Sequence, residues 1–167
     1  MSTDAIVLLR EDHRELKHIF RDYRATGPDA AGTRQQLVDR MIELLTVHTY
    51  LENECVYPRI RELVPEVGDD ILESYEEHHV ADVLCTELAA KSPRDERFHA
   101  KVTVLMENVE HHIGEEEDGW FPTVREQLGR TVLQEIGALM LAARKDAPTG
   151  PAQPGALRKT VDALLHR

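Results

Sequence analysis

The chain reads as an all-α protein. Apolar residues recur at helical spacing along most of its 167 residues, Gly and Pro punctuate those runs, and two of the runs carry the same ordered set of His, acid and aromatic-Pro. Self-similarity carried by residue types that bind metals points to function as well as to fold.

The first helix is expected near residues 4 to 25, with Ile6, Leu9, His13, Leu16, Phe20 and Tyr23 on one face and Gly27-Pro28 ending it. Thr33 and Gln36 form a capping box for a second helix that runs to about Cys55, with Leu37, Met41, Leu44, His48 and Glu52 on one stripe and Pro58 as its limit. A short helical turn covers about 59 to 66, and Gly68-Asp69 leads into a third helix to about Lys91, where Ile71, Tyr75, His78 and Leu88 share a face. Ser92-Pro93, a cap followed by proline, opens a fourth helix expected to reach Asp118 despite Gly114; its stripe is Phe98, Val102, Leu105, Val109, His112 and Glu116. A further apolar helix is expected over 131 to 145, opened by Thr131 and Gln134. Residues 147 to 155, rich in Pro and Gly, read as a linker before a terminal helix of roughly ten residues.

The repeat lies in the second and fourth helices. His48, Glu52, Glu54 and Tyr57-Pro58 are matched by His112, Glu116, Asp118 and Phe121-Pro122, and the pairs Asp12-His13 and Glu77-His78 precede them at nearly equal distances. Residues four apart on a helix face the same way, about 6 Å from one another, so each His-x-x-x-Glu presents an imidazole nitrogen and a carboxylate to one point. Two such half-sites, with one His from each of two more helices, make a nitrogen and oxygen set suited to iron, manganese or zinc rather than calcium or magnesium. Carboxylates from opposite helices favour a two-metal centre. The helical phase favours His78 over the neighbouring alternative His79, since counting from His79 turns Asp82 inward, and it leaves His111 off its stripe. His18, His99 and His166 are expected to be ordinary solvated or packed histidines, and Glu115 and Glu117 solvated charges, because Leu51 and Asn53 take their places in the first copy.

These motifs, over residues 5 to 123, resemble the hemerythrin-like or HHE cation-binding domains, in which an acid-His on one helix is followed by His-x-x-x-Glu and an aromatic-Pro on the next. The resemblance implies an up-down-up-down four-helix bundle over residues 1–123; residues 124–167 lie outside it and are expected to be a C-terminal helical extension. It also implies a non-haem, carboxylate-bridged pair of iron ions held by His13, His48, Glu52, His78, His112 and Glu116, with manganese or zinc as alternatives. One position departs from the pattern. Oxygen-carrying members have an additional His one turn before the third-helix His, where this chain has Ser74. The expected function is therefore reaction with dioxygen or hydrogen peroxide, catalase-like, rather than reversible oxygen carriage. Tyr75, one turn from His78, and Tyr50 are the expected phenolic donors. The alternative is a non-enzymatic iron or oxygen sensor or store.

Composition bounds the rest. A net charge of −11, with 20 basic against 31 acidic residues, argues against nucleic-acid binding and against docking on anionic membranes. The start of the chain lacks a signal-peptide pattern, and nothing resembles a membrane span. Two Cys, Cys55 and Cys85, outside any C-x-x-C, fit a reducing cytoplasm and small buried side chains.

Overall fold

The structure is a computed structural model that describes residues 3–151; the expected terminal helix lies outside them. Helix α1 spans Ala5–Arg24 and starts where the Asp4 carboxylate accepts the amides of Ile6 and Val7 at 2.9 and 3.2 Å. Helix α2, Ala31–Leu51, begins two residues before Thr33, and no side chain caps it, so the Thr33/Gln36 pair is not its capping box. The chain continues through a π-helical turn, Glu52–Val56, into α3, Tyr57–Leu63, then a 3₁₀ turn, Pro65–Val67, and α4, Gly68–Ala89. Helix α5 spans Phe98–Gly114. A second π turn, Glu115–Trp120, leads into α6, Phe121–Ala143.

The fourth bundle helix starts later than Ser92-Pro93 implies. Ser92 Oγ accepts from the Arg94 amide and Asp95 Oδ1 from the Arg97 amide, so two local turns absorb residues 91–97 before α5 begins. Pro58 does not end the second helix either. Proline lacks an N–H and its ring clashes with the carbonyl four residues back; widening one turn to π geometry accommodates both faults without breaking the rod. The amide of Tyr57 bonds to the Glu52 carbonyl and that of Phe121 to the Glu116 carbonyl, so the repeated aromatic-Pro makes the same π turn in both halves.

Helices α1, α2, α4 and α5 form the up-down-up-down bundle. Its interior divides into two apolar layers. One holds Leu16, Phe20, Tyr23, Met41, Leu88, Phe98 and Leu105; the other holds Ile6, Leu9, Leu51, Tyr57, Ile60, Ile71, Trp120 and Phe121. His13, His48, His78 and His112 fall between these layers in sequence on all four helices. The second layer is completed by Val124, Leu133, Ile136 and Met140 of α6, so the C-terminal segment as far as Ala143 extends the core. Gly129, with φ of +68°, breaks α6 into two pieces, the second close to the helix expected over 131 to 145. Among the described residues no helix is long and apolar enough to cross a membrane.

Candidate metal centre

Each bundle helix delivers its polar residues to one level between the apolar layers. His13, His48, Glu52, His78, His112 and Glu116 are all buried, and both carboxylates are completely so. His79 is exposed, and His111 is 63% exposed, as the helical phase requires. The six buried groups form two overlapping sets. In the first, His13 Nε2 lies 3.2 Å from Glu116 Oε2, and His48 Nε2 lies 3.2 Å from Glu52 Oε1. In the second, Glu52 Oε2 lies 3.1 Å from His78 Nε2 and 3.8 Å from His112 Nε2, which is 3.6 Å from Glu116 Oε2. Glu52 thus reaches the two sets through different oxygens, and Glu116 Oε2 lies near a histidine of each.

A donor set built for metal should leave its inward atoms without other partners. His13 Nε2, His48 Nε2, both oxygens of Glu52 and Glu116 Oε2 are buried and, although close to one another, make no hydrogen bond of acceptable geometry. A buried polar atom left unpaired costs on the order of 1–3 kcal/mol, and bound cations would satisfy all five of these converging atoms. The residues fit the group.

Behind each imidazole stands an oxygen acceptor for Nδ1. Asp12 serves His48 at 3.3 Å, Glu77 serves His112 at 2.7 Å, Glu117 serves His13 at 2.8 Å, and Asn53 serves His78 at 2.8 Å. These oxygens accept, so Nδ1 carries a proton in each bond, and a ring that is otherwise neutral would turn its Nε2 lone pair to the centre. The acids of Asp12-His13 and Glu77-His78 each hold the histidine of the following bundle helix, whereas Asn53 and Glu117, five residues after their own helix's His, hold those of α4 and α1. Glu117 is therefore not a solvated charge: the His13 bond leads the causes that hold its carboxyl down at about 2, against burial. Burial opposes charge on His48, but Glu52 and Asp12 outweigh it and push the imidazole up to about 10 without metal. Burial leads for His78 and lowers it, while for His112 the glutamates overcome burial and raise it.

The phenol that reaches the centre is Tyr57. Its hydroxyl donates to Glu116 Oε1 at 2.8 Å and lies 3.2 Å from His78 Nε2, and Ser74, the residue standing where oxygen carriers have a histidine, is buried on α4. Burial, then the charges of Glu116 and Glu52, raises its pKa well above the ordinary phenol value. Tyr75 packs edge-on against the Tyr57 ring, and with Tyr50 it lines a groove that also touches Asn53 and His78. In the other half Phe121 takes the place of Tyr57 and stacks on His13 as Tyr57 stacks on His78. The two sets therefore differ in a hydroxyl, Tyr57 against Phe121, and in one supporting acceptor, the Asn53 amide against the Glu117 carboxylate. Helical periodicity hides Tyr57: nine residues after His48 is about 180° round an unbroken α-helix, and only the π turn brings it back. The repeated aromatic-Pro was the available signal.

Fold and site define a helical bundle with a buried His/Glu centre that could hold metal cations. Residues 4–124 match the hemerythrin HHE cation-binding domain, and the chain belongs to that family. It is similar to a DNA nickase of Nostoc sp., 26% identical over 137 residues, covering 82% of this chain but only 38% of that protein. It is also similar to an uncharacterized hemerythrin-like protein of Schizosaccharomyces pombe, 23% identical over 140 residues, 83% of this chain and 68% of the other. Among solved structures, a hemerythrin HHE cation-binding domain-containing protein from Mycobacterium kansasii shares the fold with a TM-score of 0.69 at 20% identity, over 86% of each chain.

Proposed function

We propose that the chain is a non-haem di-iron protein of the cytosol that reacts with hydrogen peroxide or dioxygen, with catalase-like peroxide decomposition as its activity. The observation that carries this reading is the unequal pair of half-sites: the same imidazoles and carboxylates on both sides, with the Tyr57 hydroxyl on one and the Phe121 ring on the other. Iron bound by the six residues would supply redox chemistry shared between two ions. Glu52 and Glu116 would fix the ions relative to one another, and the Nδ1 acceptors hold each imidazole in orientation. Tyr57 keeps its proton at Oη, beside Glu116 Oε1, where a reacting oxygen species can take and return it. The apolar layers exclude bulk water. A cavity of about 10 Å³ between His48, His78, His112, Leu45, Ala81 and Val109 is at the limit for one water-sized molecule, which leaves no room for an organic substrate. The DNA-directed activity named for the nickase is not carried over, given the acidic balance of this chain.

Oxygen release from peroxide by the iron-loaded chain tests the proposal. Tyr57→Phe, which removes the hydroxyl that Phe121 lacks, should retain its metal and lose turnover by roughly 10²–10⁴-fold, the scale of general acid-base assistance. An iron-loaded parent that releases no oxygen from peroxide overturns it. A sensing role has one observation in its favour: Asp12 Oδ2 accepts both His48 Nδ1 and, at 2.7 Å, Arg144 just beyond α6, tying that helix to the centre. Metal-dependent hydrogen-exchange protection of α6 without turnover would favour that role.

A further inference from the structure

Outside the buried centre, Glu77 on α4 meets His111 and Glu115 at the end of α5. Glu77 Oε1 lies 3.5 Å and Glu115 Oε1 3.3 Å from His111 Nε2, so one imidazole nitrogen and two carboxylate oxygens converge on a point at the surface. His111 and Glu115 are four residues apart, the His-x-x-x-Glu spacing of the inner motif displaced by one residue towards solvent. Glu77 is not a freely moving surface acid: its side chain is 12% exposed, and its other oxygen accepts from His112 Nδ1 at 2.7 Å. Among the described residues, the ion-pair partners of Glu77 and Glu115 are histidines, not lysine or arginine.

We propose that Glu77, His111 and Glu115 form a third cation site, which takes a first-row divalent transition ion through one nitrogen and two oxygens and leaves its remaining positions to water. The imidazole selects zinc, iron or manganese over magnesium. Exposure makes the site weaker and faster to exchange than the buried pair. Because Glu77 also holds His112, a cation here draws on the carboxylate that orients an inner donor, so filling the outer site changes the affinity of the inner centre. The proposal rests on the inner-centre reading only for that coupling.

The test is zinc binding to the full-length chain by equilibrium dialysis, with magnesium as competitor. The parent should bind two ions tightly and a third at least tenfold more weakly, and equimolar magnesium should not displace it. His111→Ala and Glu115→Gln should each weaken the third ion at least tenfold and keep the first two. His18→Ala, which removes an exposed histidine with its own acid, Asp22, at 3.6 Å, should leave all three. Two tight ions with no third, a third that survives both His111→Ala and Glu115→Gln, or equal loss in His18→Ala overturns the outer site and leaves the inner centre standing. A single weak ion that disappears in His111→Ala supports the outer site and overturns the inner centre.

Discussion

Each inner histidine is fixed from behind by a hydrogen bond whose loss would leave the ring in place but free to turn. Glu117→Ala should therefore lower affinity for the ion beside His13 by about 10–100-fold, the usual effect of removing such a support, with little change in fold. Competition against a chelator, followed ion by ion, checks it. The same side chains set the response to pH. His48 without metal is raised to about 10 from the ordinary 6.5, so the stability it lends the apo protein is complete below pH 6.5 and lost as pH rises towards 10. Metal needs the neutral ring, so binding near pH 7 should release protons, and affinity should climb about tenfold per pH unit for each one displaced. Calorimetry in buffers of different ionisation enthalpy measures that number; zero would contradict the protonation of His48. At this scale the six inward groups were legible, because each sits on an apolar stripe where an unpaired polar group is costly. The Nδ1 partners were not: Glu117 lies off the α-helical stripe, and Asn53 does not resemble it chemically.

The helices themselves were largely legible; what periodicity could not convey was where a helix changes pitch. Pro58 and Pro122 look like terminators, yet the chain absorbs each by a π turn that contains Glu52 or Glu116, and that turn decides which aromatic faces the buried centre. The late start of α5 has a similar cause, since Ser92 and Asp95 satisfy backbone amides locally instead of capping the helix. Packing of α6 depends on Gly137, where a Cβ would stand 1.6 Å from the Thr3 carbonyl oxygen. Gly137→Ala must displace the N-terminal segment or α6, costing about 1–3 kcal/mol by the measure of overpacked cores. Gly32, in the first turn of α2 with nothing within 4 Å of an added Cβ, makes the contrasting case. Gly32→Ala should raise stability by about 0.4–1 kcal/mol, and urea titration of both variants distinguishes the signs.

For the whole molecule, metal binding and folding are one equilibrium. The His and Glu donors converge only when four helices are assembled, and without metal these buried groups have little but one another between two apolar layers. Chelation should lower the melting temperature, and an apo protein melting with the holo form would remove the coupling. The central claim, that the buried groups hold two transition-metal ions, is tested most directly by metal analysis of the iron-loaded, extensively dialysed full chain and its variants. Two retained ions per chain are predicted, with His48→Ala and His112→Ala each lowering the content and His18→Ala leaving it unchanged; no retained metal, or equal loss in all three variants, would contradict it.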